Sequence, residues 1–360
     1  MVAHAVVERA SGSPGTLASL GRGLLGNVGA AAGLAAPDLA RAGEWFDMLA
    51  EHWGTLRVDR GPQWPSDITD DHTPFELSLA FKDSDVETRL LAEVGPGQER
   101  RDRWLIESWR RAKAFNEGIE RLGVELDRLH VIQDLFQPGS SEARFAMWHG
   151  LCFRADAKPH VKVYLNPCVA GDPGRTVAAA LERLQQSWVL SRLSSVDLSR
   201  STYLAVDLSS GSEARTKVYV AHPSGTADDV ERAVSVADDY ESGRASALCR
   251  SLGGDGPYSA RPVLTCFAAV ERSRSLTATV HFPVRCYVRN DSETLGRIKR
   301  RLPPGSAHAY ERALAAFARR PLGHGTGMQT YVSQSLAGAG DRYTIYLAPE
   351  AYGVSATEEQ

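Results

Sequence analysis

Residues 214–220, Ala-Arg-Thr-Lys-Val-Tyr-Val, alternate with the period of a β-strand. Arg215, Lys217 and Tyr219 share one face, and Thr216, Val218 and Val220 share the other. Taken alone, this is a half-exposed antiparallel strand with a solvated face. The pattern recurs, however. Lys158, His160, Lys162 and Tyr164 alternate with Pro159, Val161 and Val163. Thr277, Thr279 and His281 alternate with Ala278, Val280 and Phe282, and Arg342, Thr344 and Tyr346 with Tyr343, Ile345 and Leu347. Each copy closes its polar face with an aromatic or imidazole side chain and meets a proline soon after. This is a degenerate internal repeat of about 55–65 residues.

If these strands share one sheet, their polar faces merge into one surface rich in Lys, Arg and Tyr. Closing the sheet makes that surface a lumen and leaves the apolar faces outside, under helices. Fixed cations in such a space call for an anion, and a diphosphate fits well.

Helical periodicity is read over 37–53, 98–129, 174–193, 226–251, 292–299 and 305–319. Hairpins are expected between these stretches, beginning with Phe75, Leu77, Leu79 and Phe81 on one face and Glu76 and Ser78 on the other. Helices alternating with hairpins predict an α+β fold: a ten-stranded antiparallel β-barrel with a polar lumen, surrounded by helices, in five ααββ repeats. The Gly/Ala-rich residues 1–36 read as a mobile arm or a frayed first helix, 37–352 as one barrel domain, and 353–360 as a tail.

The net charge of −3 makes any anion site local and argues against nucleic acid as a partner. No apolar run is long enough to span a membrane. Five scattered cysteines without CxxC spacing fit reduced thiols in a cytoplasm. Phosphate-binding loops, GxGxxG, HExxH and GxSxG motifs are absent. Asp70-Asp71 and Asp238-Asp239 do not extend to a DDxxD metal clamp and read as cap or surface residues. Gly323-His-Gly-Thr-Gly327 reads as a turn.

Thr73-Pro-Phe-Glu76, Lys162-Val-Tyr164, Arg215-Thr-Lys217-Val-Tyr219, Phe-Pro-Val-Arg-Cys-Tyr ending at Tyr287, and Tyr331-Val-Ser333 with Tyr346 fifteen residues later resemble the dimethylallyltryptophan synthase family. These are aromatic prenyltransferases of the ABBA barrel type, and the Ala/Arg/Gly-rich composition resembles a bacterial member. The resemblance covers about residues 37–352. It implies metal-independent transfer of a dimethylallyl group from dimethylallyl diphosphate to an aromatic carbon, most often on tryptophan, in secondary metabolism such as alkaloid biosynthesis. No cofactor is implied, and the protein is expected as a monomer or homodimer.

Carried over by position, Glu76 is the carboxylate that binds the indole N–H. Arg89, Lys162, Arg215 and Lys217 are diphosphate cations, joined by His281 and Arg285. Tyr164, Tyr219, Tyr287, Tyr331 and Tyr346 shield the allyl cation and contact phosphate. His149 falls where several members place a lysine that takes the ring proton. His281 stands where tyrosine is common, and Thr279 where a longer polar side chain is common. Two other readings stay open. One is the same fold acting on another aromatic, such as a tyrosine, naphthalene or indole alkaloid. The other is a non-catalytic barrel for an anionic ligand, which a buried Glu76 would repel.

Overall fold

The structure, a computed structural model, describes residues 15–82, 85–95, 103–139, 143–211, 213–238, 240–270, 272–336 and 342–353. Ten strands form a closed antiparallel barrel: β1 (Phe75–Lys82), β2 (Asp85–Ala92), β3 (Met147–Phe153), β4 (His160–Leu165), β5 (Ser201–Asp207), β6 (Arg215–His222), β7 (Val263–Val270), β8 (Ser275–Phe282), β9 (Gln329–Ser335) and β10 (Arg342–Leu347). Each strand pairs with its sequence neighbour, and β10 returns to β1 in the register Leu77↔Leu347 through Lys82↔Arg342. Closure leaves no free edge.

Two helices precede every hairpin. They are α1 (Leu17–Ala31) and α2 (Ala36–Leu49), α3 (Trp104–Glu120) and α4 (Asp127–Ile132), and α5 (Pro173–Arg183) and α6 (Ser187–Arg192). The remaining pairs are α7 (Ala227–Val234) with α8 (Arg244–Gly253), and α9 (Asp291–Lys299) with α10 (Pro304–Phe317). The five ααββ units expected from the sequence are therefore present. Several helix starts are written locally. Asp172 caps α5 with Pro173 at the first helical position, and Thr226 and Asp229 form a capping box on α7.

The core lies between barrel and helices. Outward side chains such as Leu77, Val163, Val218 and Ile345 are fully covered by helix residues including Leu181, Leu248 and Leu314. Burial of each such side chain stabilises by about 1.5–3 kcal/mol. With the outer faces committed to this core, the alternate positions must point into the lumen.

Two expectations need correction. Residues 17–31 are not an arm: α1 packs against α2 and α10 and buries Leu17, Leu24, Leu25 and Val28. A Cβ added at Gly21 would lie 2.0 Å from the Phe46 ring, so glycine in this stretch serves close helix packing rather than mobility. Residues 1–14 and most of the expected tail, 354–360, lie outside the described residues. The stretches 174–193 and 226–251 are each two helices. Gln185 adopts φ +61° between α5 and α6, and Gly243 adopts φ +88° before α8. Among the described residues, no helix is long and apolar enough to cross a membrane.

Candidate active site

The lumen contains a cavity of about 690 Å³. Its outer tier is cationic. Arg89 on β2, Lys162 on β4, and Arg215 and Lys217 on β6 all face it, together with Thr277, Thr279, Ser335 and Thr344. Gly150 on β3 makes room: a Cβ there would sit 3.0 Å from Lys162 Cγ and 3.1 Å from the Tyr164 ring.

Two carboxylates orient this tier. Glu87 Oε1 accepts from Arg89 Nε at 2.5 Å, and Asp207 Oδ2 accepts from Arg215 Nε at 2.9 Å. His160 Nε2 lies 3.2 Å from Asp207 Oδ1. Against the effect of burial, His160 and the Arg215, Lys162 and Lys217 cations hold the Asp207 carboxyl well below the usual range. Lys217 has no carboxylate of its own. Burial, followed by the charges of Lys162 and Arg215, lowers its ammonium to about 7.

Beneath the cations lies an aromatic tier. Ring centroids run from Tyr164 to Tyr219 at 5.9 Å, Tyr219 to His281 at 5.4 Å, His281 to Tyr346 at 5.9 Å, and Tyr346 to Tyr331 at 6.3 Å. Burial raises the phenols of Tyr331 and Tyr346 to about 12, so they stay protonated. His281 belongs to this tier and not to the cations. Burial and the nearby Lys217 and Arg89 charges push it down to about 3, so it is a neutral imidazole. His281 lines the same cavity as Arg89, Lys162, Arg215 and Lys217, and a neutral imidazole keeps one N–H donor and one acceptor nitrogen there.

At the far end, Glu76 on β1 is 6% exposed. Thr330 Oγ1 donates to its Oε1 at 2.6 Å. Burial raises Glu76 to about 7, offset in part by Thr330 and Arg261. A β-bulge explains Thr330. Two residues, Thr330 and Tyr331, stand opposite Tyr346 between the pairs Ile345↔Val332 and Leu347↔Gln329, which lets both face inward. Arg261 lies over the Tyr331 ring, 5.9 Å from its centroid.

Three sequence expectations fail on position. His149 faces outward, since its neighbour Gly150 is the residue paired with inward Lys162. Its Nε2 is 2.8 Å from Asn116 Oδ1 on α3, and its ring meets Phe115 edge-on at 4.7 Å. It cannot reach a substrate in the lumen. Arg285 lies past the end of β8 and pairs with Asp70, away from the cation tier. Tyr287, in the same turn, donates its O–H to the Arg261 carbonyl at 2.9 Å and packs against Tyr258 and Phe282. It is a packing residue outside the lumen. Asp70 and Asp71 are likewise structural: Asp70 joins Arg261 and Arg285, and Asp71 accepts from Thr69, Thr73 and Tyr352. Asp238 accepts from Leu276 N and Arg192, while Asp239 lies outside the described residues.

A closed barrel carrying cations, tyrosines and one carboxylate in successive tiers invites comparison with known proteins. A family model described as tryptophan dimethylallyltransferase matches residues 48–302. The chain belongs to this family. A 5-dimethylallyl tryptophan synthase from Streptomyces coelicolor, solved with DMASPP and Trp, is 30% identical at TM-score 0.87, covering 97% of this chain and 99% of its own. The 6-dimethylallyltryptophan synthase from Micromonospora olivasterospora, also solved with DMASPP and Trp, is 31% identical at TM-score 0.85, over 94% and 99%. The prenyltransferase PriB, in a ternary complex with L-tryptophan and dimethylallyl thiolodiphosphate, is 30% identical at TM-score 0.87, over 96% and 99%.

Membership makes the chain a prenyl-transferring enzyme, and the barrel is the fold the resemblance implied. Sequence reading missed Glu87, Asp207, Thr330, Arg261 and Tyr203, which meets Tyr219 at 5.7 Å. Asp207 alternates in phase with Tyr203 and Ala205 on β5, so that phase was a usable signal. Nothing local marks the bulge at Thr330. Among the described residues, no group of three or more His, Cys, Asp or Glu is arranged to hold a metal ion.

Proposed function

We propose that this enzyme transfers the dimethylallyl group of dimethylallyl diphosphate to an indole carbon of L-tryptophan. The observation that carries the reading is the order of inward positions along the strands: Lys162 before Tyr164 on β4, Lys217 before Tyr219 on β6 and Arg342 before Tyr346 on β10, with Glu76 held by Thr330 at the start of β1. The cations hold the diphosphate. As the C1–O bond breaks, its electron pair passes to the leaving group, and fixed positive charge in a buried site stabilises it. The allyl cation forms in the tyrosine tier, where ring faces each contribute about 0.5–2 kcal/mol and water is excluded. Glu76 accepts the indole N–H and raises the nucleophilicity of the ring. The new C–C bond forms, the ring C–H breaks, and its electron pair restores aromaticity.

With His149 turned outward, we assign the ring proton to His281. Its low basicity follows from burial and from the Lys217 and Arg89 charges. A bound diphosphate offsets those two charges and so raises the basicity of the imidazole, while the larger effect of burial remains. We extend the reading to metal independence, because Arg and Lys side chains occupy the positions beside the diphosphate that a divalent ion would otherwise take. The described cysteines, Cys152, Cys168, Cys249, Cys266 and Cys286, are all free, which supports a cytoplasmic enzyme.

The test is incubation of the purified protein with dimethylallyl diphosphate and L-tryptophan in EDTA, read by mass spectrometry for one added C5H8 unit. Product with EDTA present supports donor, acceptor and metal independence together. Absence of product with any aromatic acceptor, with or without added magnesium, overturns the reading.

A further inference from the structure

The four cations assigned above do not complete the charge of the lumen. Arg89, Lys162, Arg215 and Lys217 bring four positive charges, and Glu87 and Asp207 return two negative ones, a surplus of two. Lys217 lies near its own titration point, so the effective surplus is smaller still. An organic diphosphate carries more negative charge than that.

Two further cations stand at the rim. Lys82 ends β1 and Arg342 begins β10, and they are register partners, directly opposite each other across the strand pair that closes the barrel. Like charges in that relation are destabilising. Neither has a hydrogen-bond or ion-pair partner among the described residues. Arg342 is also close enough to Arg89 and Arg215 to feel their charge. Among the described residues, Asp85, opposite Lys82 across β1 and β2, and Glu87, whose charge acts on Arg342, offset part of this positive charge.

Both residues line the lumen cavity and also a second cavity of about 970 Å³ outside it. The outer cavity lies between the β1–β2 hairpin and the ends of α1 and α10. It carries Arg154 and Arg312 beside Lys82, Arg89 and Arg342. Its carboxylates are Asp85, the register partner of Lys82, and half-buried Glu87, which is shared between Arg89 and Arg154, each at 2.5 Å. The two cavities therefore meet at a pair of facing cations, Lys82 and Arg342.

We propose that Lys82 and Arg342 form an anion site at the barrel mouth that takes the donor's diphosphate as it passes from the outer cavity into the lumen. The proposal rests on the reading of the lumen as a diphosphate site. Approach through a positive mouth raises the encounter rate of a polyanion, and that gain falls with ionic strength. The diphosphate in turn relieves the repulsion between the two side chains.

The experiment compares the full-length enzyme with Lys82→Gln, Arg342→Gln and Arg342→Lys by thermal unfolding, with and without inorganic pyrophosphate, and by donor kinetics at two salt concentrations. The Gln variants are expected to unfold close to the wild-type Tm without ligand, because each cation faces both a like and an opposite charge. Their pyrophosphate-induced rise in Tm falls to about half or less, and the KM for the donor rises about tenfold with a flatter salt dependence. Arg342→Lys, which keeps the charge, retains most of the rise. An equal pyrophosphate-induced rise and equal donor KM in wild type and Gln variants overturn the proposal. So does a ligand-free Tm well below wild type, which would show that the two cations stabilise the fold. Absence of any pyrophosphate effect on wild type instead overturns the lumen reading on which the proposal stands.

Discussion

Thr330 Oγ1 donates a hydrogen bond to Glu76 Oε1 across 2.6 Å, from a β-bulge on β9 to the start of β1. The pair joins the last hairpin to the first and fixes the Glu76 carboxylate at the start of β1. Burial raises Glu76 to about 7, and Thr330 opposes that rise. Thr330→Val removes the donor while nearly preserving shape. Glu76 then becomes harder to ionise, and the acidic limb of the tryptophan kcat/KM profile moves to higher pH. A pH–rate profile checks this; an unmoved acidic limb would remove Thr330 from the mechanism.

Glu76→Gln keeps the shape and removes the charge that faces the indole N–H. Turnover is expected to fall about 10²–10³-fold, the range seen when one preorganised polar group is lost. The donor KM should change little, because the cations lie at the other end of the lumen. Steady-state kinetics with circular dichroism as a folding control measures both. Full activity would place Glu76 outside the chemistry.

The two ends of the lumen titrate in the same region with opposite consequences. Glu76 must lose its proton to accept the N–H, so activity rises with pH through about 7. Lys217 must keep its proton to hold diphosphate, so donor capture weakens as pH rises through about 7. The donor kcat/KM profile is therefore bell-shaped. In Lys217→Arg the guanidinium stays charged and the alkaline limb flattens, whereas Lys217→Ala weakens donor use at every pH. Unchanged donor kinetics in Lys217→Ala would place this residue outside the diphosphate site.

His281→Phe keeps an aromatic ring between Tyr219 and Tyr346 but removes the base. We expect kcat to fall about 10²-fold, in the usual range for a lost general base. Ring-deuterated tryptophan should then show a primary isotope effect, because proton removal becomes slow. A variant with normal kcat and no isotope effect would assign the proton elsewhere.

His149→Ala should behave as a packing mutant. It loses the contact with Asn116 and the edge of Phe115, at a cost of about 1–3 kcal/mol. Thermal unfolding should show a lower Tm, while kcat at a temperature where the protein is folded stays near wild type. A large loss of kcat without a loss of Tm would restore His149 to the chemistry.

The sequence by itself determined the barrel and most of its lining. Period-2 alternation is a local property, so Arg215, Lys217 and Tyr219 announced a shared face, and the recurrence of that face in four strands announced a common lumen. The family motifs supplied Glu76 and the order of the tiers. Tertiary structure decided what alternation does not encode. In β3 all seven residues are buried, so no polar and apolar phase was visible, and only pairing with β4 shows that Gly150 faces in and His149 out. Arg285 and Tyr287 follow the strand, in a turn whose direction no periodicity fixes. The counter-charges Glu87 and Asp207 matter because they stand beside particular arginines, and that adjacency exists only once the strands pair. Thr330 reaches Glu76 through a bulge 254 residues away, a contact created by closing the sheet. The α1 stretch read as an arm or a frayed first helix because glycine lowers intrinsic helix propensity. Packing against α2 and α10 outweighs that preference, and the first repeat acquires its second helix from the partner the barrel supplies.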